Sequence, residues 1–130
     1  MKTQNSIIYL WIMAGGGIGA VLRYSLLLLT SESVTMAPLT IFFENILGAF
    51  LLGLLTGLIL SKKVKEWPWL HFVGTGVLGS FTTFSAFATD ILYLLEQSLL
   101  IAVAYVVGSL LFGILAAMAG LALTHKGDQQ

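Results

Sequence analysis

The sequence predicts an all-α integral membrane protein with four transmembrane helices. Of its 130 residues, 58% are hydrophobic and 9% are charged, whereas a soluble domain carries about 25% charged residues. The apolar residues form four long runs, and about 20 apolar residues are enough to cross a bilayer as a helix. The formal net charge is zero, so there is no electrostatic basis for binding nucleic acid. No cysteine is present, which excludes disulfide and thiolate chemistry.

The four spans are separated by polar segments. We place them at residues 7–29, 39–60, 67–95 and 99–123 of one four-helix domain. A polar segment ending in proline follows the first span, a lysine-rich segment follows the second, and a Glu-Gln-Ser turn follows the third. The run AGGGIGA in the first span and spaced glycines in the second and fourth favour close approach of neighbouring helices.

The third span contains an unusual stretch, GTGVLGSFTTFSAFATD, from Gly74 to Asp90. Each glycine costs about 1 kcal/mol relative to alanine in a helix interior, and Ser and Thr offer the backbone competing hydrogen bonds. We therefore expect the third helix to be broken near the middle of the membrane, where transporters bind ions. Alternatively, the glycines only permit close packing and the hydroxyls bond to the preceding turn.

Three charged side chains lie within the spans, namely Arg23, Glu44 and Asp90. Each would cost about 2.5 kcal/mol or more at the centre of the membrane if it had no partner. One interpretation is an ion pair of Arg23 with Asp90 or with Glu44 that joins two helices. A second interpretation, compatible with the first, is that Arg23 supplies positive potential that draws an anion into a vestibule.

The spans also hold donors that could replace the water around a small anion. The amide of Asn45 has two N–H donors, and hydroxyl groups add one donor each. The hydroxyl residues concerned are Thr82, Thr83, Ser85 and Ser109.

Three phenylalanines spaced by three residues, Phe81, Phe84 and Phe87, accompany these donors. Ring edges carry partial positive charge and could line an anion path. The three rings would share a face if the backbone tightened toward a 3₁₀ turn. Alternatively they are core residues, and carbonyls freed by the helix break could hold a cation, as carbonyl rings do in channels.

Four motifs together resemble the Fluc (CrcB) fluoride channels. They are GGGIGAVLRY at residues 15–24, NILGAF at 45–50, GSFTTFSAF at 79–87 and GS at 108–109. The resemblance implies a four-helix subunit that dimerises antiparallel, with two anion pathways along the interface. It also implies a structural sodium ion on the two-fold axis, held by backbone carbonyls at the helix break.

The resemblance further implies roles for matching residues. The anion pathway would be lined by Asn45, Phe84, Phe87, Ser85, Ser109 and Tyr105. The carbonyls of Gly79 and Thr82 would bind sodium. Arg23, Asp90 and Glu44 would act structurally or electrostatically, with Asp90 at a position where the family usually has Glu.

Three positions depart from the family pattern. Glu44 precedes the pore asparagine where the family usually has a small apolar residue, and its carboxylate would repel an anion unless neutralised or turned away. Ala86 and Ala88 lack the usual hydroxyls. These departures put one pathway in question.

Charge placement predicts a single orientation in the plasma membrane. With four spans both termini lie on one side, and that side carries Lys2, Lys62, Lys63, Lys65 and Lys126. Lys and Arg accumulate in cytoplasmic segments, so we expect cytoplasmic termini. An antiparallel dimer then needs an oppositely oriented homologous subunit, although a homodimer remains an alternative.

These observations favour a passive channel that exports cytoplasmic fluoride. The alternatives are a non-conducting or half-active partner subunit of such a channel and, less favoured, a small multidrug-type proton-coupled exporter. That exporter class uses a carboxylate in the first span, and no Asp or Glu lies in residues 7–29. An enzyme is not expected, because no nucleophile–base pair or metal-binding cluster is evident in the sequence.

Overall fold

The computed structural model describes residues 2–30, 37–61 and 68–125, and the regular elements of these residues are all helical. Helix α1 is Lys2–Thr30 and α2 is Ala37–Leu60. Helix α3 has three parts, α-helical Pro68–His71, π-helical Phe72–Leu78 and α-helical Gly79–Phe81. Helix α4 is Phe84–Gln97 and α5 is Leu99–His125.

Four segments are long and apolar enough to cross a membrane, and α3 and α4 together form one of them. They are Ser6–Thr30, Ala37–Leu60, Trp69–Gln97 and Leu99–Thr124. The predicted all-α, four-span architecture is therefore confirmed. Of the lysines that predict orientation, Lys62, Lys63, Lys65 and Lys126 lie outside the described residues.

The third span is interrupted by two residues in extended conformation. Thr82 has φ −75° and ψ 149°, and Thr83 has φ −144° and ψ 124°. The backbone does not tighten toward a 3₁₀ turn here, which was the condition for the three rings to share a face; it leaves helical geometry between Phe81 and Phe84. Phe81 is buried whereas Phe84 is exposed, so the three phenylalanines do not share a face.

Glycines bring α1 directly against the π-helical part of α3. A Cβ atom at Gly15 would overlap the carbonyl oxygen of Phe72, and one at Gly19 would overlap that of Val77. A Cβ atom at Gly76 would lie 2.9 Å from the Cα atom of Gly15. Small residues permit such backbone contact in membranes, so these glycines fix the position of α3 at the start of the break.

Helices α2 and α5 also pack closely and run in the same direction. Gly53 faces the carbonyl of Ala117, and the Ser61 hydroxyl donates to the carbonyl of Thr124. Continued toward the start of both helices, this parallel pairing places Asn45 of α2 beside Ser109 of α5. The bundle thus brings a residue from α2 and one from α5 to the helix break.

Candidate functional site

A central cleft lies beside the helix break, between α2, α4 and α5. Its volume is about 400 Å³, and it includes backbone and side chains from both sides of the break. The predicted residues that line it are Asn45, Gly79, Thr82, Phe84, Phe87 and Ser109. Residues that were far apart in the sequence therefore meet at one place.

Asn45 joins α2 to the break by two hydrogen bonds. Its Nδ2 donates to the carbonyl of Thr83 at 3.2 Å, and the Thr83 amide donates to its Oδ1 at 2.9 Å. The side chain thereby satisfies both backbone groups of an extended residue at membrane depth, where an unpaired group would be costly. This pair uses one of the two N–H donors of the amide.

Thr83 directly precedes helix α4 and caps its N-terminus. Its hydroxyl accepts from the Ala86 amide at 3.3 Å, which is the hydrogen bond of a helix N-cap. The same hydroxyl lies 3.2 Å from that of Ser85. Ser85 therefore adjoins the cleft through Thr83 without lining it.

At the break, two carbonyl groups lose the amide donors that they would have in a continuous helix. In a continuous α-helix the Thr83 amide would bond to the Gly79 carbonyl, and the Ala86 amide to the Thr82 carbonyl. Instead these amides donate to Asn45 and to the Thr83 hydroxyl. Gly79 and Thr82 both line the cleft, so their carbonyls are at a place where an ion could bind.

Aromatic rings form one wall of the cleft. The centroids of Phe84 and Phe87 are 6.0 Å apart at an interplanar angle of 47°. Phe87 in turn lies 5.3 Å from the ring of Tyr105. Phe84 is 81% exposed in the single chain, which leaves its ring accessible from outside the subunit.

The buried Asp90 is bound by Tyr105 rather than by Arg23. The Tyr105 hydroxyl donates to Asp90 Oδ2 at 3.1 Å. Within residues 2–30, 37–61 and 68–125, Arg23 forms no ion pair with Asp90, and both carboxylate oxygens of Glu44 are without hydrogen-bond partners. An ion pair of Arg23 with Asp90 or with Glu44 is therefore absent from the described part of the chain. Asp90 faces α5, and Glu44 lines a cavity between α1 and α2.

Ser109 completes the cleft from α5. Its hydroxyl is buried and has no hydrogen-bond partner among the described residues, and the residue lines the cleft. An unpartnered hydroxyl beside the Asn45 amide and the rings of Phe84 and Phe87 can donate to a small anion. The cleft therefore combines polar donors with apolar walls.

Sequence reasoning identified most of the cleft but not the part played by the Thr83 backbone. A Thr directly before an apolar helical segment is a typical N-cap signal and could have located the start of α4. Its pairing with Asn45 has no sequence signal, because the two residues are 38 positions apart. Glu44, which precedes Asn45, lines a different cavity.

Sequence comparison with known proteins finds a matching family and similar relatives. A family model described as "CrcB-like protein, Camphor Resistance (CrcB)" matches residues 10–121. The chain is 37% identical over 119 residues to "Fluoride-specific ion channel FluC 2" of Nitrobacter hamburgensis, covering 90% of this chain and 96% of the relative. It is 34% identical over 127 residues to "Fluoride-specific ion channel FluC" of Saccharophagus degradans, covering 97% and 96%. With matches along nearly its whole length, the chain belongs to the CrcB-like protein family.

Proposed function

We propose that the chain is a subunit of a fluoride-selective, passive ion channel in the cell membrane that exports cytoplasmic fluoride. The observation that carries this proposal is the central cleft, in which Asn45, Ser109 and the rings of Phe84 and Phe87 meet at an interrupted membrane helix. Family membership supports the same assignment, since relatives that match most of the chain are named fluoride-specific ion channels.

The chemistry of the cleft suits a small anion that must lose its water. The free N–H of Asn45 and the hydroxyl of Ser109 replace some of the water's hydrogen bonds. The edges of Phe84 and Phe87 add partial positive charge, while their bulk excludes larger ions. No energy source is needed, because hydrogen fluoride enters as a neutral acid, dissociates inside, and leaves fluoride to flow outward.

A structural sodium ion fits the helix break. The Gly79 and Thr82 carbonyls lose their usual helical donors, and both residues line the cleft. A two-fold axis in the membrane plane would bring these carbonyls close to their own copies, giving a group of oxygen atoms of the kind that binds hard cations. The ion would hold the two subunits together at the break.

Replacing sodium is therefore expected to weaken the assembled channel. An ion at about a hundred times its dissociation constant stabilises a folded protein by about 2.7 kcal/mol. Thermal unfolding and fluoride efflux should both be measured in sodium buffer and in buffer with N-methylglucamine instead. Lower stability and slower efflux without sodium are expected, with potassium buffer as the control for ionic strength. Equal values in all three buffers would contradict the sodium site.

The subunit requires a partner in this proposal. Phe84 is exposed in the single chain, and a pore ring must be covered to confine an ion. We infer an antiparallel dimer, and the lysine distribution of the sequence favours an oppositely oriented homologous subunit as the partner. The termini are then cytoplasmic. An insertion assay that found this chain equally in both orientations would instead support a homodimer.

A second candidate function is a non-conducting or half-active subunit of a heterodimeric channel. Glu44 favours it, because a carboxylate next to Asn45 opposes an anion there unless it is neutralised. The alanines at positions 86 and 88 favour it too, because they lack the hydroxyl groups that the family usually has there.

Growth in fluoride tests the proposed function in cells. The chain would be expressed, alone and with an oppositely oriented homologue, in bacteria that lack their own fluoride exporters. We expect the chain, alone or together with the homologue, to restore growth in fluoride medium. Resistance to lipophilic cations should not change. Resistance to such cations without fluoride resistance would favour the drug-exporter alternative.

A further inference from the structure

A second cavity lies between α1 and α2, on a different face of α2 from the central cleft. We call it the α1–α2 cavity; its volume is about 470 Å³, and Leu26, Thr30, Thr40, Phe43 and Glu44 are among its lining residues. Glu44 is only 3% exposed. Neither of its carboxylate oxygens has a hydrogen-bond partner within the described part of the chain.

The register of the two helices places one charged group near Glu44. The Thr40 hydroxyl donates to that of Thr30 at 2.7 Å, and consecutive membrane-spanning helices run antiparallel. Leu26 is then level with Glu44, as their shared cavity requires. Arg23 lies one turn beyond Leu26 on the same face of α1, and its positive charge acts on the Glu44 carboxylate.

Ionisable groups on the other packed helices are engaged elsewhere. Asp90 of α4 and Tyr105 of α5 are hydrogen-bonded to each other. His71 of α3 lines a separate cavity near the other end of α2. Among the described residues, Arg23 is thus the counter-charge available to Glu44, and it is not in ion-pair contact with it.

Glu44 is well placed to act on an anion at Asn45. Consecutive residues of an α-helix point about 100° apart, so the carboxyl group and the pore amide occupy neighbouring faces of one helical turn. A carboxylate at this position adds a full negative charge that apolar surroundings screen poorly. The protonated acid adds none. The hydroxyls of Thr30 and Thr40 provide polar groups between Glu44 and the end of α1, along which a proton could arrive.

We propose that Glu44 makes anion flow through this subunit depend on protons. Its carboxylate form opposes a fluoride ion at Asn45, and uptake of a proton removes that opposition. This inference rests on the proposed function, and it concerns the control of the same pathway. Glu44 acts through its charge, as a residue that tunes the pathway without binding the permeating ion.

The test compares the pH profiles of fluoride efflux from proteoliposomes. Wild type, Glu44→Gln, Glu44→Asp and Glu96→Gln would be measured on both sides of neutrality, with leak of hydrogen fluoride from protein-free liposomes subtracted. Glu96 is exposed at the end of α4 and provides the same change of charge away from the cleft. The ratio of Glu44→Gln to wild-type efflux is expected to rise about two- to tenfold from acid to alkaline pH, the size expected for a charge on the order of 10 Å from the ion.

Two of these variants, Glu44→Asp and Glu96→Gln, separate the effect of the Glu44 charge from a loss of structure. Glu44→Asp should retain a pH-dependent rate, and Glu96→Gln should follow the wild-type profile. A wild-type rate that does not vary with pH overturns the inference even if Glu44→Gln fails to fold. A Glu44→Gln pH profile that runs parallel to the wild-type profile also overturns the inference. Absence of wild-type fluoride efflux at every pH, with or without the oppositely oriented homologue, overturns the proposed function and this inference with it.

Discussion

Replacing Asn45 with leucine is expected to lower fluoride efflux by about 10- to 100-fold. The change removes the partner of the Thr83 amide and that of the Thr83 carbonyl. Each unmade buried hydrogen bond costs about 1–3 kcal/mol, and about 1.4 kcal/mol corresponds to a tenfold change. The extended conformation of Thr83 should therefore be less well held, and the amide that we propose as an anion donor is lost at the same time. Initial fluoride efflux from liposomes containing equal amounts of folded protein measures the effect.

Two further variants show which part of Asn45 matters. Asn45→Asp keeps an oxygen for the Thr83 amide but has no N–H, so it should also conduct poorly. Gln97→Leu removes an amide at the exposed end of α4, outside the cleft, and should retain the wild-type rate. Wild-type efflux in Asn45→Leu would show that Asn45 neither holds the break nor serves the anion.

Replacing Phe84 with alanine is expected to reduce the preference for fluoride over chloride by about two- to tenfold. The expected size follows from the contribution of about 0.5–1.5 kcal/mol that a well-placed aromatic ring makes beyond its buried area. The ring lies beside Phe87 at the open side of the cleft, where we propose that it contributes both partial positive charge and bulk. Efflux of fluoride and of chloride from matched liposomes gives the ratio.

Phe112→Ala is the matched control for this experiment. Phe112 is also exposed, at 52%, but it lies on α5 next to Phe42 and does not line the cleft. Its removal should leave the fluoride-to-chloride ratio unchanged. An unaltered ratio in Phe84→Ala, or an equal loss in Phe112→Ala, would contradict the role given to the Phe84 ring.

The sequence predicts the four spans well because bilayer crossing depends on length and apolar composition, and both are properties of a single segment. It also indicates most of the cleft, since the Asn45 amide and a cluster of glycines and hydroxyl residues are uncommon together in membrane helices, and Phe84 and Phe87 lie within that cluster. Their meeting depends on the parallel packing of α2 and α5, which glycines at positions 53 and 120 permit.

Other features have no local signal. The π-helical part of α3 arises where glycines of α1 press against its backbone, so it depends on tertiary contact. The partner of Asp90 is Tyr105 rather than Arg23 because α4 faces α5 at that point. The place of Glu44 beside a cavity between α1 and α2 likewise depends on how these two helices pack.

Fluoride efflux from liposomes that contain the purified chain tests the central claim most directly. It should be measured with chloride as the control anion, for the chain alone and together with an oppositely oriented homologue. We expect fluoride-selective efflux, with the chain alone if it forms its own antiparallel dimer, or after addition of the homologue if the dimer is heteromeric. Equal efflux of fluoride and chloride, or no fluoride efflux from either preparation, would contradict the assignment of this chain to a fluoride channel.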